Sequence, residues 1–275
     1  MMAGRAAASR PLVSRPLMSR SVSVFEKQLR EENVAQARQA RVSVRRVRTQ
    51  LGLATDRFDA DWVWLVRREL RWIELAIGDV IDADALRCWI GRQELDERDE
   101  PARQRLVGEL AREGSRAHRR LLALLDSARY ERMVRDLDRP YLPPDAPAKV
   151  ARREWRLLTS TAGALNGALG DQAVHRLAAR VDRVRHATEL CRGAAPWTEE
   201  LARLRESLDA LRETSLLQGW LRHAAGSPAG SWDLVAGQLL ERTRRAESEW
   251  WANWPSRWER VSSKDLRAAV KGHKS

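Results

Sequence analysis

The chain has 275 residues and a formal net charge of +12, with 50 Lys or Arg against 38 Asp or Glu. Five of the basic residues are lysines and 45 are arginines, so a polyanion is the first partner to consider. An apolar fraction of 43% excludes a chain that is basic and disordered over its whole length. The content of 12 Trp against two Tyr and two Phe argues against a β-sandwich.

Several classes of protein and site are disfavoured. Cys88 and Cys191 are far apart and in no CxxC spacing, which argues against a disulfide framework and favours a reducing cytosol. The longest uncharged stretch, Leu157–Gly170, contains Thr, Ser and Asn and falls short of the roughly 18 residues of a membrane span. We therefore expect a cytoplasmic protein with no membrane contact.

The histidines are scattered along the sequence, so we predict no metal site. No nucleophile is paired with a base, so we predict neither an enzyme nor a cofactor.

Residues 1–20 contain four arginines and no acidic residue, but they lack the apolar core of a secretory signal. We predict a disordered basic tail here. A start codon assigned too early, with Met18 as the true start, and a targeting role are the alternatives.

From Ser21 onward, apolar residues return every three or four positions, which predicts an all-α protein. Asp61 and Asp82 are candidate N-caps, Thr198 begins another run, and Pro255 is expected to kink or end the last helix. The predicted helices are Ser21–Leu51, Trp62–Ile77, Ala83–Leu95, Ala102–Asp126, Arg129–Leu137, Lys149–Ala168, Asp171–Cys191, Thr198–Ala224 and Trp232–Val261.

Four tryptophans near the C-terminus share one broad helical face: Trp250, Trp251, Trp254 and Trp258. A stacking platform for nucleic-acid bases is one interpretation of this face. We favour a core stripe with its indole N–H groups at the edge.

Residues 140–147 contain four prolines and predict an extended connector between two helical halves. We expect a first bundle at 21–139, a second at 148–261 and a basic C-terminal tail at 262–275. An offset of 137 residues aligns Val44–Arg48 with Val181–Arg185, identical at four of five positions. This internal repeat predicts two four-helix bundles related by a pseudo-twofold axis.

The segment with the strongest charge pattern carries arginines spaced by three, four and three residues: Arg38, Arg41, Arg45 and Arg48. On a helix they form one stripe over about 15 Å. One interpretation is that each guanidinium of the stripe binds phosphate oxygens bidentately. The other is that the stripe is a solvated face whose charge is neutralised by carboxylates of a neighbouring helix. In the second half the corresponding positions are His175, Ala178, Asp182 and Arg185.

These segments resemble the CHAD family, the conserved histidine α-helical domain. The family's first motif, His-x-x-Arg-x-x-x-Arg-Arg-x-Arg, matches residues 38–48 except that Arg38 replaces the histidine. The second motif, His-Arg-Leu-x-x-x-x-x-Arg-x-Arg, matches residues 175–185. The similarity extends from about Ser21 to Val261 and includes three further segments: Glu69–Trp72, Gly78–Asp84 and Arg116–Tyr130.

The resemblance implies two four-helix bundles around a basic central channel, binding of inorganic polyphosphate and association with polyphosphate granules. It places the phosphate contacts on Arg41, Arg45, Arg46, Arg48, His175, Arg183 and Arg185, and Arg38 keeps a phosphate donor at the histidine position. The chain departs from the family pattern at Arg38, Ile81, Ala178, Asp182 and His186. Because a carboxylate repels phosphate, we expect a weaker second half, with Asp182 paired to Arg183 or Arg185.

The sequence thus predicts a non-catalytic polyphosphate-binding protein. Two alternatives stay open at this point: a basic helical nucleic-acid-binding protein, and a helical scaffold that has lost ligand binding because of its departures from the motif.

Overall fold

The computed structural model describes residues 26, 27, 29–31, 33–138, 144, 146–164, 171–191, 195–225 and 232–263. This part of the chain is all-α, as predicted, with no strand and two short 3₁₀ turns at Thr55–Arg57 and Glu97–Asp99. Its helices are α1 (Val34–Leu53), α2 (Ala60–Gly91), α3 (Glu100–Leu125), α4 (Ala128–Asp136), α5 (Pro147–Gly163), α6 (Asp171–Thr188), α7 (Ala195–Ala225), α8 (Asp233–Ala252) and α9 (Trp254–Ser262). The predicted basic tail at 1–20, most of the connector at 140–147 and most of the tail at 262–275 lie outside the described residues.

Side-chain caps set the first helix boundaries. Asn33 Oδ1 accepts hydrogen bonds from the backbone N–H groups of Ala35 at 2.9 Å and Gln36 at 3.3 Å, so a new helix begins at Val34. The predicted unbroken helix Ser21–Leu51 was therefore wrong. Asp59, not Asp61, caps α2, because its carboxylate accepts from the backbone N–H of Trp62 at 2.9 Å.

Helix α2 runs without a break through residues 78–82, where the sequence predicted the end of one helix and a cap for the next. Gly78 lies beside Arg41 of α1, and a Cβ added to it would lie 3.7 Å from Arg41 Cζ. Asp82 directs its carboxylate to Arg212 at 3.0 Å instead of to the backbone. Gly78 and Asp82, which the sequence placed at a break between two helices, thus make tertiary contacts within one continuous helix.

The C-terminal helices meet at Asn253, and Pro255 lies in the first turn of α9, as the sequence predicted. Tryptophan rings stack across this junction, with centroids 5.6 Å apart for Trp250 and Trp254 and 5.8 Å apart for Trp254 and Trp258. Trp155 of α5 extends the stack from Trp258 at 5.7 Å. Trp250 is buried and donates its indole N–H to the Ser207 carbonyl at 2.8 Å, which confirms the core interpretation.

Three apolar clusters hold the helices together. One joins α1, α2, α3 and α4 around Leu70 and Ile73, and a second joins α5 through α9 around Leu158 and Val181. The third combines α2 and α3 with α7 and α8, around Ile90 and residues that include Leu221. Helix α1 also packs against α6, and α2 against α7. The two groups of helices therefore meet along α1, α2, α6 and α7, while the internal repeat stays a prediction.

The continuity of α2 is testable with Gly78→Ala. Because Gly78 lies in a helix interior with room for a Cβ, alanine should raise the free energy of unfolding by about 0.5–1 kcal/mol. Urea denaturation measures the change. Gly108→Ala in α3, where a Cβ meets nothing within 4 Å, is the control and should gain a similar amount. A gain at Gly108 with a loss at Gly78 would place a break in α2.

Candidate functional site

A cleft with mainly charged walls lies between α1, α2, α6 and α7. Its basic lining residues are Arg41, Arg45, Arg48, Arg71, His175, Arg205 and Arg212. Its acidic lining residues are Glu74, Asp182 and Asp209. Six arginines against three carboxylates leave an excess of positive charge, so the cleft favours an anionic ligand.

The arginine spacing in α1 places part of the stripe in this cleft. The opposite face of the helix is apolar and buried, with Ala40, Val44 and Leu51 packed in the first core. Burial of that face fixes the rotation of the helix, so Arg45 and its neighbours one turn away project between the two groups of helices.

Carboxylates of α2 form ion pairs with the arginines of the same stripe. Glu74 contacts Arg45 at 3.0 Å and Arg48 at 2.9 Å, while Asp82 lies 3.7 Å from Arg41. Asp84 contacts Arg38 at 4.0 Å. Pairing with carboxylates of a neighbouring helix is therefore present, although part of the stripe faces the cleft and not bulk solvent. Binding of phosphate by the stripe stays a prediction.

Glu74 is a deeply buried carboxylate of the cleft, with a side-chain exposure of 7%. Burial raises its pKa, but attraction to Arg48 and Arg45 outweighs burial and lowers the pKa below its ordinary value. Glu74 is therefore held as a carboxylate and bridges two arginines of the stripe.

Two arginines of the stripe keep unused donors. Burial lowers the pKa of Arg41 and of Arg48, in both cases with repulsion from Arg45. The Nε atoms of Arg41 and Arg48 are buried and have no hydrogen-bond partner within the described residues. Buried donors without acceptors are costly, and an anion in the cleft would supply acceptors.

Helix α7 contributes two arginines that the sequence did not single out. Arg205 lies 3.1 Å from Asp182 and 2.6 Å from Asp209, and Arg212 binds Asp82 across the interface between the helix groups. Their spacing of seven residues puts both on one helical face, which was the available signal. Arg71 of α2 was also missed, although it lies in a segment that carries the family resemblance.

Asp182 does not pair as predicted. Its carboxylate contacts Arg205 at 3.1 Å and Arg45 at 3.8 Å, whereas Arg183 contacts Glu154 at 2.7 Å and Arg185 lies 3.8 Å from Glu189. Asp182 faces the cleft, whereas Arg183 pairs with Glu154 of α5 and Arg185 lies beside Glu189. The second half therefore places a negative charge against the first half's stripe.

The structure brings four of the eight predicted site residues into the cleft lining: Arg41, Arg45, Arg48 and His175. The other four are outside it. Arg38 is about half exposed, and Arg46 contacts Glu189, which directly follows α6, at 2.9 Å. Arg183 lines a separate groove between α5 and α6, and Arg185 lies near Glu189.

Metal centres and membrane spans are two other features to consider in the part of the chain that the structure describes. No group of three or more His, Cys, Asp or Glu is arranged there to hold a metal ion. Among those helices none is long and apolar enough to cross a membrane.

Together the fold and the cleft define an all-helical protein with a basic cleft between two groups of helices. The sequence matches the family model of the CHAD domain over residues 20–222, and the chain belongs to this family. No curated protein matches it.

Two solved structures share the fold. PptA from Streptomyces chartreusis aligns with a TM-score of 0.71 and 20% identity over 88% of this chain and 96% of its own. The CHAD domain from the plant Ricinus communis aligns with a TM-score of 0.60 and 18% identity over 99% of this chain and 98% of its own.

The role of Glu74 is testable with Glu74→Gln, which should lower the free energy of unfolding by about 3 kcal/mol at neutral pH. Folding lowers the pKa of Glu74, so the ionised carboxylate stabilises the folded state. This stabilisation is complete above the ordinary carboxyl pKa and disappears as pH falls through the lowered pKa of the folded state. The difference between variant and wild type should therefore shrink in acid. Urea denaturation over a pH series measures it.

Glu241→Gln is the control, because Glu241 pairs with arginines on the surface of α8 and is about half exposed. It should cost less than about 1 kcal/mol. A cost for Glu74→Gln no larger than this would contradict the bridging role.

Proposed function

We propose that this protein binds inorganic polyphosphate in the cleft between α1, α2, α6 and α7, without catalysing its conversion. The observation that carries the proposal is the convergence of six arginines on one cleft, two of them with buried Nε donors that lack an acceptor among the described residues. Membership of the CHAD family supports the same ligand class.

The geometry favours a thin linear anion. The side chains of Arg41, Arg45 and Arg48 are 16%, 12% and 21% exposed, so their guanidiniums are recessed between helices. A single chain of phosphates can approach recessed donors, whereas the phosphates of a nucleic-acid duplex lie on the outside of a wide rod. This argues against the nucleic-acid alternative.

Binding would proceed by exchange of partners. A guanidinium fork matches two phosphate oxygens, so a bound chain can take over donors that Asp82 and Asp209 hold in the free protein. Glu74 and Asp182, both deeply buried, would keep Arg45 in position during the exchange. Each neutralised phosphate releases a counterion, so affinity should decrease steeply with salt.

A binding role fits the chemistry of the lining. Glu74 is held ionised by two arginines, which makes it a weak proton acceptor, and Asp182 contacts two arginines as well. We infer that the protein attaches to polyphosphate in the cytoplasm, at granules where the polymer is concentrated.

The site assignment is tested by replacing Arg41, Arg48 and Arg71 together with Gln. Arg45 is kept so that Glu74 retains a partner and the fold survives. Affinity for long-chain polyphosphate should fall by more than roughly tenfold, and the slope of log affinity against log salt should decrease by up to about three. Isothermal titration at two salt concentrations measures both, and helical circular dichroism checks folding.

The matched control removes three arginines from outer surfaces: Arg112, Arg244 and Arg245. This control has the same net charge as the cleft variant and should bind long-chain polyphosphate almost as well as wild type. Equal losses in the two triple variants would reject the cleft as the site. Displacement of polyphosphate by duplex DNA at equal phosphate concentration would favour the nucleic-acid alternative, and no binding by wild type at low salt would favour the scaffold.

Asp182→Asn should raise the affinity for polyphosphate severalfold, because it removes a buried negative charge from the cleft. The same change should lower the stability of the free protein, since Arg45 and Arg205 lose a shared counterion. Titration and thermal unfolding measure the two effects. Glu109→Gln on the outside of α3 controls for net charge, and a similar gain there would show that position is irrelevant.

A further inference from the structure

A second concentration of positive charge lies at the C-terminal end of α1, around Gly52. Arg67 of α2 and Arg183 of α6 approach this glycine from the two groups of helices. A Cβ on Gly52 would lie 3.0 Å from Arg67 Cζ and 3.2 Å from Arg183 Nη1. Two guanidiniums thus lie against the same glycine, in space that a Cβ would crowd.

Arg67 and Arg183 have too few carboxylate partners to neutralise their charges. Arg183 contacts Glu154 at 2.7 Å, but Glu154 also contacts Arg153 at 3.1 Å and Arg180 at 3.6 Å. Within the described residues Arg67 has no ion pair at all, and its buried Nε has no hydrogen-bond partner. Burial lowers the pKa of Arg67, with repulsion from Arg183 and Arg48.

This cluster is continuous with the cleft. Arg48 lines the cleft and is close enough to Arg67 for their charges to repel. Ala179 of α6 lines both the cleft and the groove between α5 and α6, whose other lining residues include Arg176, Arg180 and Arg183. Positive charge therefore extends from the cleft, past Arg48, to a second opening.

We propose that Arg67 and Arg183 form a second phosphate subsite, which makes the protein selective for long polyphosphate chains. The proposal rests on the proposed function and adds a residue, Arg67, that no motif singles out. From Arg41 to Gly52 the distance along α1 is about 16 Å. A long chain spans the distance from Arg41 to the subsite, whereas tripolyphosphate is too short to occupy both ends of it.

A ligand explains why the chain tolerates the pair. In the free protein the pair costs stability, because two desolvated like charges repel and a buried donor lacks an acceptor. A phosphate between the guanidiniums would accept from both and screen their repulsion. A structural arginine would have the opposite signature, since removing it would destabilise the fold.

The test compares Arg67→Gln with Arg68→Gln, which remove the same charge from adjacent positions of α2. Arg68 contacts Glu69 at 3.0 Å and lies 4.8 Å from the centre of the Trp64 ring, on the exposed side of the helix. Affinities for long-chain polyphosphate and for tripolyphosphate are measured by titration at fixed salt. The melting temperature of each ligand-free variant is measured in parallel.

Arg67→Gln should weaken binding of the long chain by roughly three- to tenfold and leave tripolyphosphate binding within about twofold. Its ligand-free melting temperature should equal or exceed that of wild type. Arg68→Gln should bind both ligands almost as wild type does.

Equal losses in the two variants, or equal losses for the two ligands, would overturn the subsite. So would a lowered melting temperature for Arg67→Gln, because it would identify Arg67 as structural. Wild-type binding of the long chain tests the proposed function separately. If wild type binds and the variants do not differ, the subsite fails and the proposed function stands.

Discussion

The pairing of Glu74 with Arg45 and Arg48 is the interaction on which the cleft depends. Like charges three and four residues apart on a helix repel, and burying them between helices adds a desolvation cost. A carboxylate of α2 placed between two members of the stripe offsets both costs. Without it, α1 could not present its arginines inward and pack its apolar face against α2.

Acidic residues therefore have two opposed effects in this protein. In the free protein Asp82, Asp182 and Asp209 neutralise arginines from both groups of helices and tie the groups together. Toward an anionic ligand they are competitors, since each holds donors that a phosphate would use. On the proposed function, affinity is a difference between two sets of ion pairs, and the departure of Asp182 from the family pattern shifts that difference toward the ligand-free fold.

Periodicity and motif spacing were sufficient to predict the all-α class, the alignment of Arg41, Arg45 and Arg48 on one side of a helix, and the role of Pro255. They failed where long-range contacts decide the outcome. Gly78 was misread as a break in α2 because sequence shows its low helix propensity but not the arginine packed beside it.

The missed parts of the site have the same origin. Arg205 and Arg212 differ from other arginines of α7 only in facing the interface between helix groups. The partner of Asp182 was mispredicted because the prediction considered only neighbours along the chain, while its partners come from α1 and α7. A site built from single residues of four helices is specified by how the helices rotate and pack, which local spacing does not encode.

The third apolar cluster restricts how far the walls of the cleft can move apart. It joins α2 and α3 to α7 and α8 at one end of the long helices, and contact between α1 and α6 joins the helix groups elsewhere. Walls fastened in this way cannot swing apart as a hinged clamp does without breaking core packing. The width of the cleft is therefore set by core packing, and a bound ligand would have to fit between walls that do not close on it.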